Sequence, residues 1–212
     1  MTTLILACGV FMLAPGAALA GTLDQQQTDH AGTTANIQSA SSWAQTFTAG
    51  LSGGLDQVDL YLGSFGAPAV PLYVEIRDVS GGVPGNTILA SHLVPASGIP
   101  AAGAFVPINF APPAPIVAGT QYAIVAYSSA SGGKIFTWGA STNANAYPAG
   151  AAFLDTVSPP DGNWSSLTVV RAVAFRTYVV TGQRAAALKK CKKKHSKRAR
   201  RKCRKKANLL PV

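Results

Sequence analysis

The sequence is poor in charge, in histidine and in cysteine, and each shortage narrows what the protein can be. Only 12% of its 212 residues are Asp, Glu, Lys or Arg, about half the usual share of a soluble domain. Three histidines and three cysteines provide few metal ligands and few partners for a catalytic nucleophile. No apolar run reaches the roughly 18 residues that a membrane helix needs, so the sequence predicts no membrane span.

Acidic residues are missing from one end of the chain. All eight lie before Gly182, where only four basic residues occur, so this part has a net charge of −4. Residues 183–212 contain fourteen Lys and Arg and no acid, a net charge of +14. We therefore expect a β-rich domain over residues 21–182 and a basic low-complexity tail over residues 183–212.

The first twenty residues predict an export signal. An apolar run from Leu4 to Leu13 is followed by the breaker Pro15-Gly16 and by Ala18-Leu19-Ala20, the small-x-small pattern at which signal peptidase cleaves. We expect residues 1–20 to be a signal peptide and the mature chain to begin at Gly21. No Lys or Arg precedes the apolar run, which favours a true start further upstream.

Alternating apolar and polar residues predict strands throughout the body. Trp43–Gly63 is typical of two strands and a turn, and PLYVEIRDV (Pro71–Val79) predicts a strand with one wet face. In that strand Leu72, Val74 and Ile76 point to the core, and Tyr73, Glu75 and Arg77 point to water.

Later segments extend the same pattern. Gln121–Ser128 and Ile135–Trp138 predict a hairpin across the Ser/Gly turn between them. Val169–Val180 predicts the last strand, with Val173, Phe175 and Val179 inward. Three prolines exclude a central strand just before Ile116; they are Pro112, Pro113 and Pro115. Without helical periodicity up to Gly182, the expected fold is an all-β antiparallel sandwich, jelly-roll-like, of nine or ten strands.

The order of these motifs resembles a known family. QTFTAG, LDQVDLYLG, LYVEIRD with GGVPG, PAPIVAGTQYAIVAYS and FTWGASTNANAYPAGAAF are similar to the choice-of-anchor domains, jelly-roll-like modules of exported bacterial surface proteins that carry varied C-terminal anchors. The resemblance covers roughly residues 42–180 and implies a non-catalytic module with no catalytic residues to transfer. This chain has its basic tail where those proteins have an anchor.

Aromatic residues in Gly- and Asn-rich segments are the candidate ligand site. An exposed ring could stack on a sugar face while nearby amides bind its hydroxyls. The alternative is that these rings cap the ends of the sandwich core. The candidates are Trp138, Tyr147, Trp164, Asn143 and Asn145.

Metal and catalytic sites are weakly supported. Asp155 and Asp161 flank a Pro-Pro loop and could bind calcium, although solvated loop acids are the default. His30 and His92 have no nucleophile motif or metal spacing near them. We expect no cofactor, no metal site and no enzyme activity.

The basic tail predicts binding to polyanions. Repulsion between like charges three and four residues apart opposes a helix in water, so we expect a flexible, solvated or partly helical arm that becomes helical when its charges are neutralised. Cys191 and Cys203 predict a disulfide, within or between chains, in an oxidising exterior, and zinc binding with His195 is the weaker alternative. The polyanion-binding candidates are Lys189, Lys190, Lys192, Lys193, Lys194, Lys197, Arg198, Arg200, Arg201, Lys202, Arg204, Lys205 and Lys206.

Taken together, the patterns predict a protein that is secreted or associated with the cell wall. Its sandwich would bind glycans or act in adhesion, and its tail would attach to anionic polymers or surface glycans. One alternative is a purely structural surface module without a small ligand. Another is a nucleic-acid binder that acts through the tail, which an export signal disfavours.

Overall fold

The computed structural model describes residues 21–208, which form two antiparallel β-sheets followed by two helices. The predicted signal peptide, residues 1–20, lies outside the described residues, as do residues 209–212. Thirteen strands are described rather than nine or ten, because two of them are only two residues long and the polar lead-in forms two more. The all-β sandwich is confirmed.

The strands differ greatly in length, from 2 to 13 residues. In chain order the strands are β1 (Thr22–Gln27), β2 (Thr33–Ile37), β3 (Ser42–Thr48), β4 (Gly53–Phe65), β5 (Leu72–Ser80), β6 (Val83–Val94), β7 (Ala104–Ile116), β8 (Gln121–Tyr127), β9 (Ile135–Ser141), β10 (Ala152–Asp155), β11 (Ser165–Ser166), β12 (Ala172–Val173) and β13 (Phe175–Val180).

The seven-stranded sheet is organised around β4. Its main order is β1-β13-β4-β9-β12, and β7 and β2 pair with β4 and β9 respectively. The prolines of β7 fit this position, since β7 pairs only with β4 among the described strands and an edge strand tolerates missing N–H donors. The polar segment from Gly21 to Gln38 provides β1 and β2, and each of them pairs with a single strand among those described.

The six-stranded sheet has the order β11-β10-β3-β8-β5-β6. The predicted hairpin of β8 and β9 is wrong, because β8 belongs to this sheet and β9 to the other. The connecting segment crosses between the sheets and is anchored: Ser128 Oγ donates to the carbonyl of Pro71 over 2.8 Å, and Ala130 is buried. Likewise β3 and β4 lie in different sheets.

The main core lies between the two sheets. It contains large rings from both, among them Phe47 from β3 and Phe175 from β13, whose centroids are 6.2 Å apart. Val173 and Val179 are also buried, as their alternation predicts. Burial of these apolar surfaces is the main stabilising contribution to a sandwich.

A second apolar cluster covers the outer face of the six-stranded sheet. It contains Ala44, Ala123, Val125 and Phe153, which alternate along their strands with residues of the main core. Residues 156–164, here called the cover segment, connect β10 to β11. Ser42 Oγ donates to the carbonyl of Val157 over 2.6 Å, and Ser158 Oγ donates to that of Ser128 over 2.8 Å, so this segment is fastened to strand ends.

The strand β5 differs from its prediction on this outer face. Leu72, Val74 and Ile76 are inward and fully buried, as expected. However, Glu75 and Arg77 are buried too, at 4% and 6% exposure. They form an ion pair with each other, with Arg77 Nη2 2.6 Å from Glu75 Oε2, and only Tyr73 of the predicted wet residues is exposed.

The tail forms a helical hairpin rather than a solvated arm. Helix α1 (Gln183–Lys192) and helix α2 (Lys197–Ala207) pack mainly on each other, and a disulfide joins Cys191 to Cys203, whose Cα atoms are 5.5 Å apart. Charge repulsion did not prevent helix formation, because the disulfide closes the hairpin and small residues of α2 contact α1.

Candidate functional sites

The predicted loop aromatics do not form one site. Trp138 is fully buried in the core, and its Nε1 donates to the carbonyl of Ala174 over 2.8 Å. Its ring therefore has no face open to a sugar, and its place among the ligand-binding residues is corrected. For Trp138 the alternative interpretation is correct: its ring belongs to the sandwich core.

Tyr147, Asn143 and Asn145 remain together in the loop after β9. Tyr147 is half-buried: its ring meets Phe175 edge to face, with centroids 5.1 Å apart, and its hydroxyl donates to Gln25 Oε1 over 2.9 Å. Burial raises its pKa to about 12. Asn143 Oδ1 accepts a hydrogen bond from the backbone N–H of Asn145. These contacts order the loop and engage the Tyr147 hydroxyl and Asn143 Oδ1.

Trp164 lies elsewhere, at the end of the cover segment. It is half-buried against the second apolar cluster, and its Nε1 is a buried donor with no hydrogen-bond partner among the described residues. Tyr147 packs against the main core, whereas Trp164 packs against the second apolar cluster.

A groove that the sequence did not predict lies on the outer face of the six-stranded sheet. Its volume is about 380 Å³, and Tyr73, Tyr127, Ser129, Ser158 and Pro159 line it. The rings of Tyr73 and Tyr127 are stacked, with centroids 5.1 Å apart and planes inclined by 7°. Tyr73 is 38% exposed, so part of its ring is available to a ligand.

A buried polar network holds this pair of rings in place. The hydroxyl of Tyr127 donates to Glu75 Oε1 over 2.8 Å, and Arg77 Nε donates to Glu75 Oε2 over 2.7 Å. Burial, together with the nearby carboxylate, raises the pKa of the Tyr127 phenol well above its usual range. The neutral phenol can therefore keep donating to Glu75, and the Tyr127 ring is fixed before any ligand arrives.

Sequence reasoning missed the groove because its two rings come from strands far apart in the chain. Tyr73 pairs with Tyr127 in the register of β5 and β8, and Ser158 and Pro159 come from the cover segment. The one local signal was that both tyrosines lie at outward positions of alternating strands. That signal cannot show that the two strands are neighbours.

The second candidate site is the basic face of α2. Five side chains recur at spacings of three and four residues, which places them on one side of a helix. All five are exposed. Together with Asn208 they border a shallow groove of about 350 Å³; they are Lys197, Arg200, Arg201, Arg204 and Lys205.

The other face of α2 contacts α1. Ala207 is buried and Cys203 is half-buried on α2, while Cys191 is buried and Leu188 is half-buried on α1. At the start of α2, Ser196 Oγ accepts a hydrogen bond from the N–H of Ala199 over 3.1 Å, which is a typical N-cap. The hairpin therefore has a small apolar side and a cationic side.

The remaining predicted cations surround this face. Lys190, Lys192, Lys193, Lys194, Arg198, Lys202 and Lys206 are all exposed, whereas the side chain of Lys189 lies outside the described residues. Residues 183–212 contain no acid, so neither helix offers an internal counter-charge. Neutralisation of these cations has to come from an anion outside the hairpin.

The residues considered for metal binding are engaged in other ways. Asp155 is buried and accepts from the N–H groups of Val157 and Gly162, while Asp161 accepts from that of Asn163. No group of three or more metal-binding side chains was found within residues 21–208. His30 stacks on Tyr61, with ring centroids 3.7 Å apart.

Comparison with family models, with curated proteins and with solved structures gave no match. Over the part of the chain that the structure describes, neither helix is long and apolar enough to cross a membrane.

Proposed function

We propose that this protein attaches itself to an anionic polymer through the basic face of α2. The observation that carries the proposal is the row of five exposed cations along one side of a helix in a segment without acids. The proposal includes export and a place at the cell surface or wall, in agreement with the predicted leader and with the resemblance to exported surface modules.

The chemistry of the face favours a polymer of phosphates or carboxylates. Arg200 and Arg204 are one helical turn apart, about 6 Å along the axis, so successive guanidinium groups can bind successive anions. Guanidinium binds such groups through two parallel hydrogen bonds. Because the hairpin is closed by a disulfide, less backbone freedom is lost on binding than in a disordered arm.

The test compares two pairs of substitutions with equal loss of charge. In the mature chain, Arg200→Gln with Arg204→Gln changes the groove, while Lys192→Gln with Lys194→Gln changes cations near the helix connection. Binding to poly(glycerol phosphate) is measured by calorimetry from about 50 to 300 mM salt. The groove pair should lower the affinity at least roughly ten-fold and reduce the salt slope by roughly one to two, whereas the control pair should have a clearly smaller effect.

Equal losses from both pairs would show that only total charge matters and would contradict a defined binding face. Hyaluronate and duplex DNA serve as further probes in the same series. Tighter binding to duplex DNA than to poly(glycerol phosphate) or hyaluronate would favour the nucleic-acid alternative.

A second function, binding of a neutral glycan, is supported by the tyrosine groove. The Tyr73 ring offers a flat apolar face beside the hydroxyl of Ser129, and Glu75 and Arg77 neutralise each other beneath it. Such a site suits an uncharged sugar, whose ring has an apolar face and hydroxyl edges. In this version the sandwich binds the glycan and the hairpin holds the anionic polymer.

The glycan function is tested with Tyr73→Ala and with the control Phe65→Ala, an equally drastic change at an exposed ring outside the groove. The probes are soluble hexasaccharides of β-linked glucose, xylose, mannose and N-acetylglucosamine. Binding of one of them that is lost in Tyr73→Ala and kept in Phe65→Ala supports the function. Absence of binding to all of them in the unaltered protein supports the purely structural alternative.

A further inference from the structure

One carboxylate of the sandwich has an oxygen without a partner. Asp56 lies in β4 at a bulge, where the register shifts between Leu55 and Gln57. Its Oδ1 is buried and has no hydrogen-bond partner among residues 21–208. A buried carboxylate oxygen without a donor is unfavourable, and burial raises the pKa of this carboxyl.

The residue beside this oxygen is Gly21. It precedes β1 and packs between Asp56 and Tyr178: a β-carbon placed on Gly21 would overlap Asp56 Oδ1 and would lie 2.9 Å from Cβ of Tyr178. Only glycine fits there without a shift. Asp56 Oδ1 therefore lies close to the α-carbon of Gly21, and the backbone nitrogen of Gly21 is bonded to that same α-carbon at about 1.5 Å.

The ionisable side chains of the neighbouring strands are engaged elsewhere. On β13, Tyr178 donates to Asp59 Oδ2 over 2.9 Å, and Arg176 Nη1 lies 3.8 Å from the same oxygen. On β1, Asp24 accepts from the N–H of Gly50. The segment of β7 beside the bulge, residues 110–113, carries no ionisable side chain. None of these groups supplies a cation to Asp56.

We propose that Asp56 is the acceptor for the α-ammonium group of Gly21 that removal of residues 1–20 creates. Signal peptidase would hydrolyse the Ala20–Gly21 amide bond with one water molecule. The carbonyl carbon of Ala20 gains the hydroxyl group of the water. The released leader then ends in a carboxylate. The nitrogen of Gly21 gains the proton and, at neutral pH, a second one, becoming an ammonium. Maturation thereby turns an orphaned carboxylate into half of an ion pair that fastens β1 to β4.

The test is a double-mutant cycle on the mature protein. Four forms are compared: chains that begin at Gly21 or that keep Ala20, each with Asp56 or with Asp56→Asn. Urea unfolding is measured at about pH 6.5. When Asp56 is present, the chain that begins at Gly21 should have an unfolding equilibrium constant roughly two- to five-fold lower than the chain that keeps Ala20. This is the range expected of a partly exposed ion pair. In the Asp56→Asn variants, the chain that begins at Gly21 and the chain that keeps Ala20 should have equal unfolding equilibrium constants.

If removing Ala20 changed the unfolding equilibrium constant equally with Asp56 and with Asp56→Asn, the proposal would be overturned. The same cycle with Asp161→Asn, an exposed carboxyl in the cover segment, is the control and should leave the difference unchanged.

A titration by NMR gives a readout that does not require the Asp56→Asn variant to fold. The amino group of Gly21 should titrate above the ordinary range of about 7.7 to 8.0 in the protein with Asp56. An ordinary value would overturn the ion pair. Amino-terminal sequencing of the secreted protein tests the cleavage itself, and a mature chain that begins at another residue would also overturn it. Neither measurement depends on polymer or glycan binding.

Discussion

The sandwich and the helical hairpin differ in charge, in core and in the way they are held together. The sandwich region has a net charge of −4 and buries large rings between two sheets, whereas residues 183–212 have a net charge of +14. In the hairpin the buried side chains among those described are only Cys191 and Ala207, and a disulfide joins the helices. One chain thus combines a domain stabilised by burial with a segment stabilised by a covalent link.

The difference shows how a cationic surface can be kept rigid. Burial of apolar area needs many residues, and a thirty-residue segment with fourteen cations has too few apolar ones. A cross-link stabilises without an apolar core because it restricts the unfolded chain. Substitutions in one of the two regions should therefore leave the stability of the other unchanged.

The largest effect is expected in the sandwich, from Phe47→Ala. Phe47 is fully buried and contacts the rings of Tyr122 and Phe175, so its truncation should cost about 3 to 5 kcal/mol. Urea unfolding monitored by tryptophan fluorescence measures this loss. Phe65→Ala, at a ring that is 69% exposed, is the matched control and should change the stability by less than about 0.5 kcal/mol.

A loss of helix signal in Phe47→Ala before the sandwich unfolds would contradict the separation of the two regions. The amide resonances of α2 report on this directly.

Removing the disulfide should affect only the hairpin. Replacing Cys191 and Cys203 with Ser opens a loop closed over a sequence separation of 12, and the hairpin should lose about 3 kcal/mol. We expect α1 and α2 to melt, because repulsion between their cations is then unopposed. Backbone chemical shifts measure the helix, and an unchanged urea midpoint of the sandwich is the control. Retention of both helices would contradict this account.

A smaller effect is expected at the start of α2. Ser196→Ala removes the side chain that accepts from the N–H of Ala199 and should cost about 1 kcal/mol of hairpin stability. Amide exchange of Ala199 measures it. Ser196→Asn, which keeps an acceptor at this position, should restore most of the protection, and equal exchange in both variants would rule out the cap.

The smallest effect is a pH dependence that belongs to the sandwich. The pKa of Tyr147 is raised to about 12 by burial, against about 10 in an unfolded chain. Because the folded form holds its proton more tightly, the contribution of Tyr147 is fully present below about pH 10 and is lost as the pH rises toward about 12. Urea midpoints from about pH 9 to 11.5 should fall less steeply in Tyr147→Phe, and equal slopes would contradict the assignment.

Local alternation predicted the strands well but could not show which strands are neighbours. Leu72, Val74 and Ile76 face the core as predicted. Glu75 and Arg77, on the opposite face, are buried as well, because their ion pair and the hydroxyl of Tyr127 satisfy them where the second apolar cluster covers the sheet. Tyr127 is 52 positions from Glu75 along the chain, and a local pattern contains no information about such a distant partner.

The errors at the sites have a similar origin. The Gly-rich surroundings of Trp138 suggested an exposed loop, but Gly139 has no room for a β-carbon because His30 and Tyr61 lie against it. Glycine there permits close packing rather than a flexible turn. In the tail, Ala199, Cys203 and Ala207 recur every four residues, a spacing typical of one face of a helix, whereas charge repulsion by itself favours a solvated arm.

The topology also fixes when the sandwich can be completed. Among the described strands, β1 pairs only with β13, and β13 in turn separates β1 from β4. The first strand that a ribosome makes must therefore wait for the last, about 150 residues later. At synthesis rates of roughly 5 to 20 residues per second, that delay is on the order of 10 to 30 s. Throughout this time β1 lacks its partner strand, so the seven-stranded sheet stays incomplete until the end of the sandwich has been synthesised.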